Sequence, residues 1–437
     1  MAVTETAGSE VNGSMKLMAA KNPMKQISID RLIPGMFMVK MDLPWYRSPF
    51  LSHKRLIKDI ATIQMMKQYG IRTVTIDTTK GKDVIAESSG VPSGSGPGAP
   101  DASAGMETQL DTCAQPQMKT NSAQALYAEA HEAVEHIFAD LERGVPPPPA
   151  STKAIVSKVL TQVLTDRTGL LTELVIRKVK QFDRSLAAHA LDTCVLSLIV
   201  AVESGLDETM QAYLGAGALL HDAGYVRLPR NLVRRRDECN EQERTLLQQH
   251  PSLGIALLAE NSDIPDEVKR IVAEHHERGD GSGYPSGSMK EAISHLAKIV
   301  GIVDLYDSMV SRRGGRPAML PHDAVRQLFM AGERGEFEKT LVEVVIRSVG
   351  VYPVGSLVRL NTGEQAIVVG VNPSQRLKPL VKITGGPQGE SYTTPVQVDL
   401  ATETQERVVR TVLRVLDPAQ ERVNIAMYLD EASSQAA

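Results

Sequence analysis

The sequence is poor in the residues on which several classes of protein depend. Its 437 residues include three cysteines, Cys113, Cys194 and Cys239, and none of them stands in a Cys-x-x-Cys spacing. Neither a disulfide framework nor a zinc ribbon is therefore indicated, and we expect a reducing compartment. Aromatic residues make up 4% of the chain, within a composition that is otherwise typical of globular proteins.

Long basic, apolar and targeting segments are also missing. The formal net charge is -4, and we interpret the arginine triplet at 234–236 as a solvated surface run, with the guiding of a small anionic ligand as the alternative. A nucleic-acid polymer is therefore not an expected partner, whereas a small anionic ligand is compatible with this charge. The N-terminus shows no signal-peptide pattern, and the longest apolar run, residues 194–202, is too short to cross a bilayer. We expect a cytoplasmic protein without membrane contact.

Changes in composition divide the chain into five segments. Residues 1–23 are rich in Ala, Ser and Gly and are predicted to be disordered. Residues 24–82 predict a small α/β domain, and residues 83–118, rich in Gly, Ser and Pro, predict a flexible linker. Residues 119–348 predict an all-α domain, and residues 349–437 predict a short β-rich extension with Gly and Pro turns. The fold class is therefore multidomain, with a helical core.

Two adjacent histidines stand at the centre of the helical region. His275 and His276 end an apolar, helix-periodic run, and a glycine-rich loop follows them directly, up to Pro285. Neighbouring helical residues point about 100° apart, so both imidazoles reach one place only if that place is large. A site with more than one metal ion is large enough.

Further histidines and aspartates lie on or beside other apolar helical segments. They are His189, His221, Asp222, His250 and Asp304. An unpaired polar group on such a face is costly, so something must satisfy these side chains. Imidazole nitrogens and carboxylate oxygens suit iron, manganese or zinc. Any one of these histidines alone is more often a satisfied core residue, but the whole ordered set favours a metal site.

This ordered set resembles the HD-GYP family of bacterial cyclic-di-GMP phosphodiesterases. The resemblance rests on the ligand candidates together with Gly283, Tyr284 and Pro285, and it covers residues 120–360. Residues 25–82 are similar to the domain often found ahead of HD-GYP modules. The resemblance implies an all-α HD core and metal-dependent hydrolysis of cyclic-di-GMP to linear pGpG or to GMP.

The resemblance implies a site of two or three divalent ions, and two ions of iron or manganese are expected here. One ion would be held by His189, His221, Asp222 and Asp304. Asp222 would bridge to a second ion, held by His250, His275 and His276. This assignment makes Asp222 the shared ligand and a candidate catalytic residue.

The resemblance also implies substrate contacts. The loop residues Gly283, Tyr284 and Pro285 would lie near the substrate. Arg313 and Arg316 would pair with phosphate oxygens in fork geometry. Beyond cyclic-di-GMP itself, the resemblance admits a homodimer and contacts with signalling proteins such as diguanylate cyclases through the HD-GYP surface.

Three positions depart from the family pattern. Tyr225, a further candidate catalytic residue, stands where the family carries a lysine, and Gly314 and Gly315 remove an aromatic residue between two arginines. Ser185 stands where members with three metal ions carry a glutamate, which favours two ions here. We therefore expect slow turnover. The alternatives are a sensor or interaction module that keeps the metal site, and a phosphohydrolase of another nucleotide.

Overall fold

A computed structural model describes most of the chain. The described residues are 24–42, 55–57, 59–68, 71–82, 117–180, 185–259, 261, 263–312, 316–372, 374–402 and 409–430. The predicted disordered segment 1–23, residues 83–116 of the predicted linker and Arg313 lie outside them. The chain divides into two compact units, residues 1–108 and 109–437.

The first unit contains a small antiparallel sheet and one helix. The elements are β1 (Met24–Ser28), β2 (Phe37–Met41), β3 (Arg55–Leu56), α1 (Ile60–Gln68) and β4 (Thr73–Asp77), with the strand order β1-β4-β2-β3. Leu56 pairs with Phe37 as part of β3, although the apolar spacing from Leu56 onward has the period of a helix. The carboxylate of Asp59 accepts a hydrogen bond from the Thr62 amide at 2.7 Å, which caps a helix that begins only at Ile60.

Helices dominate the second unit up to residue 349, as the sequence predicted. They are α2 (Gln117–Glu142), α3 (Pro149–Lys180), α4 (Leu186–Ser204), α5 (Glu208–Leu220), α6 (Arg230–Arg234), α7 (Glu241–Leu247), α8 (His250–Ala259), α9 (Asp266–Glu274), α10 (His295–Val310), α11 (Pro321–Arg334) and α12 (Lys339–Val349). Residues with special backbone preferences set their ends. Ser185 caps the N-terminus of α4, and Gly205 ends this helix in the left-handed conformation with φ 69°.

Helix α4 is the centre of the helical core. It packs against α2, α3, α5, α10 and α12, and its side chains are buried from Ala187 to Ala201. Among the described helices, α4 is long and apolar enough to cross a membrane, but 83% of that stretch is buried inside the protein. Its apolar composition is therefore explained by its place in the core.

A five-stranded antiparallel sheet follows the helices. Its strands are β5 (Leu357–Leu360), β6 (Gln365–Gly370), β7 (Leu380–Gly385), β8 (Ser391–Asp399) and β9 (Val412–Leu416), in the order β8-β7-β6-β5-β9, and a short helix α13 (Ile425–Leu429) ends the described chain. Helix α13 contacts both α3 and β6, so it joins the sheet to the helical core. The predicted β-rich extension is confirmed.

Candidate metal centre

The structure brings all the predicted metal ligands together around the N-terminal half of α4. They are His189 on α4, His221 and Asp222 after α5, His250 at the start of α8, His275 and His276 after α9, and Asp304 on α10. All are buried except His276, whose side chain is 15% exposed. The site therefore opens to solvent beside His276.

Two glycines allow the elements that carry these ligands to approach closely. A Cβ on Gly224 would lie 1.9 Å from the carbonyl oxygen of His250, and a Cβ on Gly301 would lie 2.3 Å from that of His275. No side chain fits at either distance. Glycine thus lets the 3-10 helix Ala223–Arg227 pack on α8, and lets α10 pack on the end of α9.

The ligand atoms form two groups, each with its atoms within 4.8 Å of one another. One group contains His189, His221 and Asp304, and the other contains Asp222, His250, His275 and His276. The two oxygens of Asp222 face both groups, since Oδ2 lies 3.6 Å from Nε2 of His189 and Oδ1 lies 3.4 Å from Nε2 of His250. This carboxylate is therefore positioned to serve both groups of candidate ligands.

Backbone carbonyls fix the direction of three imidazole rings. Nδ1 of His221, His250 and His275 donates to the carbonyl oxygen three residues earlier, at 2.7, 2.8 and 3.0 Å respectively. Each ring therefore turns Nε2 toward the centre of the site. A ring held in this way keeps the tautomer whose inner nitrogen is a metal ligand.

His189 is held by a carboxylate that the sequence analysis missed. Its Nδ1 donates to Oδ2 of Asp307 at 2.8 Å, and its Nε2 lies 2.9 Å from Oδ1 of Asp304. Asp307 in turn accepts hydrogen bonds from Lys178 and from Ser311. Lys178 also donates to Asp192, at 2.9 Å. This buried chain of ion pairs connects α3, α4 and α10 behind His189.

The charge states of the site follow from its burial. Burial, together with the neighbouring His221 and His250, lowers the pKa of His275 to about 3. Burial alone would raise the pKa of Asp222, but the surrounding imidazoles of His221, His250 and His189 lower it below its usual range. At neutral pH the His275 imidazole is therefore neutral and the Asp222 carboxylate is ionised, which are the states that bind metal.

The residues present fit divalent metal ions. Nε2 of His221 is buried and lacks a hydrogen-bond partner, which is unusual for a buried polar atom. Among the described residues, every ion-pair partner of Asp222 and Asp304 is a histidine, so no lysine or arginine forms an ion pair with these two carboxylates. The spacings of 2.9–4.0 Å between histidine nitrogens and carboxylate oxygens suit ligands that each lie about 2 Å from an ion. These residues could therefore hold metal.

The glycine-rich loop forms one wall of the opening. The Tyr284 ring stacks on His276, with 4.6 Å between ring centroids, and burial raises the pKa of its hydroxyl. Gly283 is needed because a Cβ there would lie 2.4 Å from the amide nitrogen of Arg278. The carboxylate of Glu277 accepts hydrogen bonds from the amides of Ser286 and Ser288, at 2.8 and 2.9 Å, and so fixes the loop beyond Pro285.

Tyr225 packs against the second group of candidate ligands. Its ring is 8% exposed and stacks on His250 at 4.0 Å. Tyr225 also lines a cavity of about 500 Å³, together with Ser185 and residues of α2, α4 and α6. The hydroxyl of Ser185 accepts a hydrogen bond from the Ala188 amide at 3.1 Å, so it serves as a helix cap.

Arg316, one of the two predicted phosphate-binding arginines, contacts the backbone of α10. Arg316 is exposed, and its described hydrogen bond is to the carbonyl oxygen of Ser308 at 2.6 Å. No described contact joins Arg316 to the metal ligands. Arg313 lies outside the described residues. Their assignment as phosphate ligands remains a prediction.

Family models match three parts of the chain. An HD domain model matches residues 158–340, a domain of unknown function (DUF3391) matches residues 24–151, and a KOW domain associated with HD domains matches residues 357–416. With the histidine and aspartate centre, these matches define an HD-domain protein. The three matches support the predicted resemblance to the HD-GYP family.

Three relatives are named phosphodiesterases. A cyclic di-GMP phosphodiesterase of Pseudomonas aeruginosa is 27% identical over 370 residues, which are 82% of this chain and 85% of that protein. The response regulator RpfG of Xanthomonas campestris, also a cyclic di-GMP phosphodiesterase, is 32% identical over 34% of this chain and 39% of its own length. A 3'3'-cGAMP-specific phosphodiesterase of Vibrio cholerae is 27% identical over 37% of this chain and 31% of its own length. The chain thus spans less than half the length of the last two.

Proposed function

We propose that this protein is a cytoplasmic phosphodiesterase that hydrolyses cyclic-di-GMP to linear pGpG or to GMP with two divalent ions, iron or manganese. The observation that carries the proposal is the position of Asp222, whose two oxygens face two separate groups of ligands. The named activity of the Pseudomonas relative supports the choice of substrate.

Bound divalent ions would supply Lewis-acid activation of water and charge compensation for a phosphodiester. The residues of the chain prepare that site. His221, His250 and His275 present lone pairs in fixed directions, because their Nδ1 atoms are committed to carbonyl oxygens. Asp222 supplies an oxygen to each group. Tyr225 and Tyr284 flank the opening, where they keep bulk solvent away from the reacting phosphate.

The proposal is tested by incubating the purified full chain with cyclic-di-GMP and manganese or ferrous iron, followed by chromatography of the products. We expect linear pGpG, GMP or both. Cyclic GMP-AMP in a parallel reaction tests the substrate, because one relative is named for that dinucleotide. A metal-loaded protein that releases no product from cyclic-di-GMP would contradict the proposal.

A second candidate function is a metal-retaining sensor or interaction module. It is favoured by Tyr225, which supplies a neutral hydroxyl where the family has a cation. A sensor would bind cyclic-di-GMP without releasing product. The same reaction therefore separates the two functions if binding is measured beside turnover.

Replacing Tyr225 by lysine is expected to raise kcat. One charged donor aimed at a developing charge is worth at most about 10²–10³ in rate, so the gain should stay below that range. The ring is packed on His250 and against Leu228 and Val233, so we also expect a loss of stability of about 2–4 kcal/mol. Steady-state kinetics at matched metal occupancy and thermal unfolding measure both effects.

Tyr225→Phe is the control, because it keeps the ring stack and should keep the stability. An unchanged or lower kcat in Tyr225→Lys would show that the site works with tyrosine.

Replacing Asp307 by asparagine is expected to weaken metal binding about 10–100-fold, as is usual for residues that orient a metal ligand. Asp307 accepts the Nδ1 proton of His189, and an amide can present the wrong group to this ring. Competition with a chelator of known affinity measures the loss. Asp323→Asn, on α11, is a control for the change of charge. Equal metal affinity in Asp307→Asn and wild type would show that Asp307 does not orient His189 for metal binding.

Without metal, the protein is expected to lose stability as the pH falls from about 6.5 toward 3. The pKa of His275 is lowered in the folded state to about 3, whereas an unfolded histidine titrates at about 6.5. The unfolded state therefore binds more protons in this window, and stability falls with pH. His275 alone should contribute about 2 kcal/mol between pH 6.5 and 5. Urea unfolding at both pH values measures this, and His275→Gln should show a smaller dependence. Equal pH dependence of the two proteins would contradict the assignment.

A further inference from the structure

The cavity beside the metal centre is composed of an apolar floor and a charged rim. Phe138, Leu186 and Val233 contribute apolar surface. The charged lining residues are three arginines and two glutamates, namely Arg230, Arg234, Arg236, Glu135 and Glu142. Its volume of about 500 Å³ falls within the range of small-molecule sites, about 300–1,000 Å³. Because Tyr225 lines this cavity and also stacks on His250, the cavity shares a wall with the metal centre.

The sequence suggested that the arginine triplet at 234–236 is a solvated surface run. In the structure, however, its three side chains lie in different environments. Arg235 forms two hydrogen bonds with the carboxylate of Glu243, on α7, and is absent from the cavity lining. Arg234 and Arg236 line the cavity. The middle arginine is therefore part of the fold, whereas its two neighbours are turned toward a different environment.

Arg234 and Arg236 have no carboxylate partner in the described part of the chain. Arg236 donates to the carbonyl oxygen of Val233 at 3.3 Å and lies over the Tyr225 ring, 5.6 Å from its centroid. Arg230 stands one turn before Arg234 on α6, and it alone of the three pairs with an acid, Glu142. Like charges one turn apart destabilise a helix, so the repulsion between Arg230 and Arg234 does not stabilise α6. A bound ligand with hydrogen-bond acceptors or negative charge would offset this repulsion.

The cavity therefore suits a ligand that combines a flat apolar body with an edge of hydrogen-bond acceptors. A guanine base has this character, since its O6 and N7 are adjacent acceptors that match the fork of one arginine. Adenine presents N7 beside an amino donor, which does not match an arginine. We infer that this cavity is a guanine subsite, in which Arg234 and Arg236 hold the half of a cyclic dinucleotide that does not react.

This inference rests on the proposed function, because it assigns to the cavity one half of that substrate. Tyr225 links the two sites, since its ring separates the guanine from His250. The substrate would thus place one phosphate at the metal ligands and one base in the cavity. The arginines would select guanine over adenine without contacting the reacting atoms.

The test is an equilibrium titration of the manganese-loaded full chain with 5'-GMP and with 5'-AMP. The two probes share ribose and phosphate, so the difference between their affinities reports the base. We expect wild type to prefer GMP. The double variant Arg234→Ala/Arg236→Ala should bind GMP about 5–150-fold more weakly, with little change for AMP. Arg234→Ala alone should show part of this loss, and it leaves the Arg236 contact with Tyr225 in place.

Arg244→Ala, an exposed position on α7 outside the cavity lining, is the matched control for loss of one positive charge. Unchanged GMP affinity in the double variant would overturn the subsite, and so would an equal loss for GMP and AMP. The titration involves no reaction, so a GMP preference that depends on the arginines would stand even if cyclic-di-GMP were not hydrolysed. Conversely, the double variant could hydrolyse cyclic-di-GMP with an unchanged KM and bind GMP with unchanged affinity. This result would refute the guanine subsite but not the proposed function.

Discussion

Asp222→Asn is expected to remove one of the two metal ions and to reduce turnover by at least about 10³-fold, the upper end of the effect of a single electrostatic group. Asp222 is buried, and its two oxygens face the two ligand groups at 3.6 Å and 3.4 Å. An amide offers one oxygen and an uncharged NH₂ group, so it cannot be shared between two cations. The loss of affinity should exceed the roughly 10–100-fold found for residues outside the ligand shell.

Metal content after dialysis and the rate of product formation measure the two effects together. Asp266→Asn provides a matched control, because Asp266 lies at the start of α9, the helix that leads to His275, and its side chain is 94% exposed. The control should keep both ions and full activity. Two ions per chain with unchanged affinity in Asp222→Asn would show that this carboxylate does not bridge.

Removal of the metal is expected to abolish activity and to destabilise the helices of the second unit strongly. Ligands from α4, α5, α8, α9 and α10 meet at one place, so bound ions would cross-link five helices. A ligand present at about 1,000 times its Kd stabilises the folded state by about 4 kcal/mol. Without metal, the buried carboxylates of Asp222 and Asp304 have only histidines as ion-pair partners in the described part of the chain.

Thermal unfolding of chelated and manganese-loaded protein measures this effect. The melting temperature of the helical unit should fall on chelation and return when manganese is restored, which controls for damage by the chelator. Magnesium at the same concentration should restore less, because histidine-rich sites favour transition metals. Identical melting curves with and without manganese would contradict a metal site at these residues.

The sequence was sufficient to predict which histidines and aspartates the structure brings together, because each occupies a recognisable local position. His221 and Asp222 follow an apolar helix, and His275 and His276 end another, so their placement depends on patterns of a few residues. The multidomain class and the β-rich extension were also predictable, from turns and apolar strands. β8 was not predicted, because most of its side chains are exposed and no alternating apolar pattern marks it.

Features formed by distant parts of the chain could not be predicted in the same way. Lys178 lies 129 residues from Asp307, and no local pattern indicates that they pair behind His189. Asp307 itself had a usable signal, since it lies three residues after Asp304 on α10 and hence on nearly the same face. The separation of Arg235 from its two neighbours depends on Glu243, which becomes its partner only when α7 packs beside it.

The most direct test of the account is a titration of manganese into the metal-free full chain, with bound metal and cyclic-di-GMP hydrolysis measured at every point. If the two ligand groups hold two ions that share Asp222, activity should stay near background until the second equivalent binds and then rise to its maximum. Full activity with one ion per chain, or activity that does not depend on manganese, would contradict the two-ion site and the mechanism built on it.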